Sequence, residues 1–324
     1  MDLNNKVVLI TGGTGSFGKR FLDTALRRFK PKKLIIFSRD ELKQYEMQQD
    51  PFFKKHADTI RYFIGDVRDA ERLHRAFHDV EIVVHAAALK QVPAMEYNPF
   101  EAIKTNVIGA ENIINAAIDQ GVDRVIALST DKAANPISLY GATKLCSDKL
   151  FTRANTYTGK GKTRFACVRY GNVMGSRGSV IPIFQEQIKT GTLTITDERM
   201  TRFWITLQQG VDFVIKSLGV MKGGEIFVPK IPSMKVIDLA RAMGPKAKIK
   251  IIGIRIGEKL HEAMILEDDA RITKEFKDLF IIDNLDMHKN GKKLREGFKY
   301  TSDNNTVWMS AGQLRGILAN NKAK

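Results

Sequence analysis

Only two cysteines, Cys146 and Cys167, occur among the 324 residues. That is too few for a disulfide framework, and no zinc-type ligand spacing appears, so no metal centre is expected. Long apolar runs are missing too; the longest are strand-sized, which excludes a transmembrane helix from expectation. The start, Met1-Asp2-Leu3-Asn4-Asn5-Lys6, lacks the apolar stretch of a signal peptide. A cytoplasmic protein is expected, with no membrane partner. Acidic residues are in deficit, 36 against 52 Lys and Arg, giving a net charge of +16. The excess is dispersed over short clusters at Lys30, Lys32 and Lys33, at Lys246, Lys248 and Lys250, and at Lys289, Lys292 and Lys293. No cluster is interleaved with aromatics and no helix-turn-helix is visible. Nucleic acid is therefore not an expected partner, and the charge reads as solvated surface with some attraction for phosphate.

Residues that are 43% hydrophobic fill a substantial core. Apolar, β-rich runs at 7–10, 33–37, 60–64, 82–85, 124–128 and 164–169 alternate with helical segments, the pattern of a parallel sheet with crossover helices. After about residue 170 the order loosens. A helix at 211–220 and a strand at 224–228 lead back to the sheet, followed by a helix at 235–243 and a strand at 249–252. The fold class expected is α/β: a Rossmann-type doubly wound parallel sheet with a smaller C-terminal α/β domain. Residues 1–170, joined by 203–229, make the dinucleotide-binding domain; 171–202 and 230–324 make the substrate domain. The tail at 320–324 is expected to fray.

Between the first strand and a helix at 19–29 stands Thr11-Gly12-Gly13-Thr14-Gly15-Ser16-Phe17-Gly18. Gly12, Gly15 and Gly18 form G-x-x-G-x-x-G, in which absent side chains allow a tight turn and bring backbone N–H groups to a pyrophosphate at a helix N-terminus. Thr14, Ser16 and Phe17 belong to the same loop. The second strand ends in Ser38, Arg39 and Asp40, with Lys43 one turn on. A hydroxyl and a guanidinium suit a 2′-phosphate and favour NADP, while Asp40 keeps the ribose within reach of a carboxylate. Asp66 and Val67 close the third strand, where Asp66 serves either the adenine amino group or the N-cap of a helix at 68–77. His85 reads as structural, and Ala86, Ala87 and Ala88 leave the cofactor room to lie on the backbone.

Tyr140 and Lys144 stand at i, i+4 on one helical face after the fifth strand. A nearby ammonium and a positive nicotinamide lower a phenol's pKa, so the pair suits proton removal from an alcohol as hydride leaves its carbon. Asp131 and Lys132 leave the same strand at its C-terminal end, as a second acid–base pair for elimination or as an N-cap with an ordinary ion pair.

With Ala86-Ala87-Ala88-Leu89-Lys90, Ser129-Thr130-Asp131-Lys132-Ala133, Tyr140-Gly141-Ala142-Thr143-Lys144, Arg169-Tyr170-Gly171-Asn172-Val173, the segment 197–204 and Arg255-Ile256-Gly257-Glu258-Lys259-Leu260-His261-Glu262 following the glycine loop, the chain resembles the extended short-chain dehydrogenase/reductase family. Within it the likeness is to the C5-inverting UDP-N-acetylglucosamine 4,6-dehydratases of pseudaminic acid biosynthesis, from about residue 5 to at least Asp283. The resemblance implies three steps on bound NADP: oxidation at C4, loss of water across C5–C6, and return of the hydride to C6 with inversion at C5. Tyr140 then serves C4 oxidation, Lys144 holds Tyr140 and the nicotinamide ribose, and Asp131 and Lys132 serve elimination, with Lys132, held near neutrality, as the C5 base. Matching positions give Thr105 to the cofactor and residues 170–178, Tyr170 and Val173 among them, to the nicotinamide. Lys90, Asn172, Thr196, Arg255 and Glu258 go to UDP-N-acetylglucosamine, with Arg199 and Arg202 as further phosphate contacts or plain ion pairs. The resemblance also implies a homo-oligomer. A UDP-sugar 4-epimerase shares the fold and the tyrosine but needs no acid–base pair for water loss. C5-retaining relatives commonly carry membrane segments and often lack the tyrosine.

Overall fold

A computed structural model describes residues 2–159, 161–176 and 178–322. Strands β1 (Val7–Thr11), β2 (Lys33–Ser38), β3 (Ile60–Ile64), β4 (Ile82–His85), β5 (Arg124–Thr130) and β6 (Arg164–Tyr170) pair in parallel in the order β3-β2-β1-β4-β5-β6. Every residue of β1 and β4 is buried. Such strands read as unbroken apolar runs because helices cover both faces of the sheet. The crossovers change direction between β1 and β4, which opens a crevice beyond the carboxyl ends of the strands.

The helix Ser16–Arg28 shows how the sequence builds this cover. Phe21, Leu22 and Ala25 recur at helical spacing and are fully buried, each large side chain contributing roughly 1.5–3 kcal/mol by leaving water. Arg27 and Arg28 occupy its last turn, where positive charge suits the helix dipole, and Pro31 stands just beyond its end.

Beyond β6 the sheet continues with Glu225–Pro229, parallel to β6, and then with Leu279–Asp283, Thr273–Glu275 and Lys292–Lys293, all antiparallel. The return at 224–228 matches the sequence reading. The three antiparallel strands do not, since they come from the stretch assigned wholly to the substrate domain. Leu279, Phe280, Ile281 and Ile282 bury their side chains in the large core, so the chain re-enters the first layer after 230.

A second, smaller core gathers Phe184, Leu193, Ile195, Trp204, Leu239 and Leu314. Around it lie two small sheets: Thr192–Ile195 paired with Lys248–Ile251, and Ser233–Lys235, Thr201–Ile205 and Asn172–Val173. The tail expected to fray at 320–324 instead continues the helix Ala311–Lys322 through residue 322, and residues 323–324 lie outside the described residues. Among the described residues no helix is long and apolar enough to cross a membrane.

Candidate active site

A cleft of 760 Å³ runs between the two cores, across the carboxyl ends of β1, β4, β5 and β6. At its sheet end the glycine loop turns sharply. Gly12 has φ +67°, and a Cβ there would lie 2.9 Å from the backbone nitrogen of Ala87, so only glycine lets the β1 and β4 loops meet. Gly15 N-caps the helix Ser16–Arg28 with no side-chain hydrogen bond and no acid in the first turn. Its leading N–H groups are thus available to an anion. Gly12, Thr14, Gly15, Ser16, Phe17, Ala86, Ala87, Ala88 and Thr105 line the cleft, and the buried Thr105 hydroxyl has no hydrogen-bond partner among the described residues. This cradle fits a dinucleotide pyrophosphate. Gly18 does not line it: its Cα packs on Gly13, joining helix to strand.

Ser38, Arg39, Asp40, Lys43, Asp66 and Val67 form the outer rim. The Thr14 and Ser38 hydroxyls are 2.8 Å apart. Asp40 caps the helix Glu41–Gln49 through the Lys43 N–H and pairs with the Lys43 ammonium, so it is engaged before any ribose arrives. Asp66 is not the helix cap allowed for in the sequence; Asp69 caps Ala70–Ala76. Asp66 instead accepts from Arg68 at 2.7 Å and from Arg39 at 3.4 Å. Burial would raise its pKa, but the Arg68 hydrogen bonds and both arginine charges bring it below the ordinary carboxylate value.

Tyr140 and Lys144 come from the helix Leu139–Ala154, capped by Ser138 Oγ on the Gly141 N–H. Both line the cleft beside Lys132. The helix presses on the turn Asp131–Ala133: a Cβ at Gly141 would collide with the Lys132 carbonyl oxygen. Gly141→Ala is expected to cost about 1–3 kcal/mol of stability in denaturant titrations through this overpacking. An undiminished midpoint would show that the contact is not tight. Asn106, from the π-turn Lys104–Ile108, ties the wall together. Its amide donates to Leu89 O at 3.0 Å and to Thr143 Oγ1 at 3.1 Å.

Electrostatics correct two expectations. Burial pushes the Tyr140 phenol up to about 12, against the lowering pull of the Lys132 ammonium and a hydrogen bond with Thr130. In the chain by itself the residue is a phenol, and the expected depression by Lys144 is not the governing effect. Lys144 is buried and lowered by that burial, opposed by Asp148. Lys132, expected near neutrality, is instead held as a cation. Its Nζ lies 3.0 Å from Asp131 Oδ1, 3.4 Å from Glu262 Oε1 and 3.3 Å from Asn172 Oδ1. Burial alone would lower its pKa, but the two carboxylates together raise it. Asp131 is fully buried behind the wall and does not line the cleft; burial raises its pKa against the pull of Lys132. Glu262 closes the motif at 255–262 with no role legible from the sequence. Only its tertiary contact with Lys132 reveals it.

His85 is buried, 2.8 Å from Thr11 Oγ1 through Nδ1, and burial pulls its pKa down to about 3. A neutral structural imidazole agrees with the sequence reading.

Lys90, Tyr170, Asn172, Val173, Thr196, Arg255 and Glu258 also line the cleft. Of residues 170–178, Arg177 lies outside the described residues. Arg199 does not line the cleft; its guanidinium points at Asp197, 2.7 Å away, with the side chain 71% exposed. Arg202 does line it, yet its guanidinium is committed to the carbonyls of Thr201, Lys259 and Leu260. It anchors the loop bearing Glu258 more than it awaits a phosphate. The sequence reading also passed over Trp204, Phe184 and Val236 on the far wall, whose apolar character alone looked like core.

A doubly wound sheet with a glycine-loop cradle at its crevice, and a Tyr-x-x-x-Lys helix on the adjoining wall, defines an extended short-chain dehydrogenase/reductase. Residues 8–284 match the family of polysaccharide biosynthesis proteins, and the chain belongs to it. A Campylobacter jejuni relative named UDP-N-acetylglucosamine 4,6-dehydratase (inverting) is 54% identical over 97% of this chain and 98% of its own length. A Rickettsia typhi relative named UDP-glucose 4-epimerase is 45% identical over 82% of this chain and 79% of its own. The solved structure of Pen from Bacillus thuringiensis is 40% identical and superposes with a TM-score of 0.91, covering 99% of this chain and 100% of that one.

Proposed function

We propose that the chain is a C5-inverting UDP-N-acetylglucosamine 4,6-dehydratase, a hydro-lyase that retains NADP through each turnover. The observation that carries this reading is a single cleft wall on which Tyr140, Lys144 and Lys132 open to the same space, with Asp131 against Lys132, beside a cradle that fits a dinucleotide. The identity to the Campylobacter jejuni relative supports the substrate and the stereochemistry.

Held on the cradle of Gly12, Thr14, Gly15, Ala86, Ala87 and Ala88, a bound nicotinamide would supply a hydride acceptor for C4 and a hydride donor for C6. Tyr140 accepts the C4 hydroxyl proton in the first half as a phenolate, the form that positive charge at Lys132 and on the cofactor favours against burial. The new C4 ketone acidifies C5–H. Lys132 is a cation at rest, so it becomes a base by passing a proton over 3.0 Å to Asp131, whose buried carboxyl favours the protonated form. The C5 proton goes to the Lys132 amine, and the C6 hydroxyl departs as water with a proton from the same pair. A solvent-derived proton delivered to C5 from the opposite face then inverts that centre, while Tyr140 returns to solvent the proton it took from the C4 hydroxyl, which closes the count.

Incubation with UDP-N-acetylglucosamine in deuterated water, followed by NMR, tests this. The expected product is a 6-deoxy-4-keto sugar nucleotide carrying deuterium at C5 with L-arabino couplings. A galacto epimer as the product would overturn the reading in favour of a 4-epimerase, which needs no proton pair at C5.

The rim of Ser38, Arg39 and Lys43 supports NADP over NAD, because a 2′-phosphate there meets a hydroxyl and two cations. Arg39→Ala is expected to weaken NADP binding roughly 10–100-fold, the worth of one charge-assisted hydrogen bond, and to leave NAD binding nearly unchanged. Equal losses for both dinucleotides in calorimetric titrations would remove Arg39 from that role.

A further inference from the structure

Glu262 lies outside the cleft lining and is 2% exposed, yet it faces three cations. Its Oε1 is 3.4 Å from Lys132 Nζ and 3.9 Å from Arg202 Nε, and its Oε2 is 3.5 Å from Lys259 Nζ. The backbone beneath it is clamped. Its N–H donates to Ser302 Oγ at 2.9 Å, and its carbonyl accepts from the Ser302 N–H at 2.7 Å. Ser302 is fully buried, and its hydroxyl donates to Thr201 O at 3.1 Å, next in the chain to Arg202. Lys259 closes the arrangement on the other side, donating to Ala134 O at 2.6 Å and so tying this loop to the catalytic turn. A carboxylate is expensive to bury, and packing alone gives no reason to set one against the cleft-facing lysine.

Resting on the dehydratase reading, we infer that Glu262 is a positioning residue: with Asp131 it grips the Lys132 ammonium from two sides and sets the pH at which that lysine exchanges protons with C5. The groups facing Nζ are Asp131 and Glu262, which favour its charge, Arg202, which opposes it, and Asn172 and Tyr140 on the cleft side. Glu262 stays ionised in spite of its burial because Lys132, Arg202 and Lys259 surround it. Its charge is therefore constant while the Asp131–Lys132 pair cycles. It biases the pair toward a charged lysine after each proton transfer and keeps Nζ aimed at the cleft.

Glu262→Gln keeps the shape and removes the charge. Loss of a neighbouring anion favours the neutral amine. The pH limb belonging to Lys132 should then move to lower pH whether the lysine acts protonated or deprotonated. The rate of deuterium incorporation at C5 is expected to fall roughly 10²-fold, the lower end of what an acid–base group contributes. C4 oxidation, read as reduced-nicotinamide absorbance in a single turnover at a pH where Lys132 is still charged, should stay near the wild-type rate, as should KM. Glu262→Asp, which keeps the charge but draws it back, should shift the limb less and in the same direction, and it carries the test by itself if the glutamine variant does not fold. An unmoved limb, or equal losses in C4 oxidation and C5 exchange, would overturn the inference. If the wild-type protein makes no dehydrated product, the dehydratase reading fails instead.

Discussion

Replacing Lys132 by alanine is expected to cut water loss and deuterium exchange at C5 roughly 10²–10⁴-fold, which corresponds to about 3–5 kcal/mol of barrier. The size follows from position. Of the Asp131–Lys132 pair only Lys132 reaches the cleft, so protons that the pair exchanges with the sugar must cross its Nζ. A second consequence is less obvious. The Lys132 ammonium is the first counterweight to the burial that holds Tyr140 up at about 12. Its removal raises the phenol further, so the rising limb of C4 oxidation in Lys132→Ala moves to higher pH. Single-turnover absorbance against pH measures that limb, and wild-type C5 exchange in this variant would remove Lys132 from the mechanism.

The second large effect falls on the oxidation itself. Tyr140→Phe removes the phenol oxygen proposed to take the C4 proton and keeps the ring. Turnover is expected to drop roughly 10²–10⁴-fold, with sugar-nucleotide binding retained. Reduced nicotinamide should fail to accumulate in a single turnover, and C5 exchange should vanish with it, because C5–H is not acidic until C4 is a ketone. C5 exchange that survived the loss of C4 oxidation would reverse the order of steps. The contrast between the variants is diagnostic: Tyr140→Phe stops both halves, whereas Lys132→Ala leaves C4 oxidation observable at raised pH.

Much of this site is legible without coordinates because its signals are local. A glycine loop between a strand and a helix, and a tyrosine and lysine one turn apart on a helix, are set by backbone geometry within a few residues. The same holds for Asp131 beside Lys132. Arg199 misled for the converse reason. It sits in a charged motif, but two residues away Asp197 satisfies its guanidinium, and nothing turns it toward the cleft. Arg202, three positions on, does reach the cleft wall, since β-pairing of Thr201–Ile205 with Asn172–Val173 carries it there.

The sequence by itself determined the parallel sheet, the cradle at its crevice and the identity of the phenol and amines on the wall, because periodicity, glycine placement and helical spacing act over short stretches of chain. Tertiary structure alone decided the charge those groups carry. Lys132 has one acid beside it in sequence, but folding brings up Glu262 from a distant loop, and burial removes the water that would have screened them both. It also decided that the stretch after residue 230 rejoins the main sheet: Leu279–Asp283 is an apolar run whose antiparallel partner nothing local specifies, and Thr273–Glu275 and Lys292–Lys293 are too short and mixed to announce themselves. A pKa is a property of everything within a few ångströms, and that neighbourhood is assembled from residues far apart along the chain.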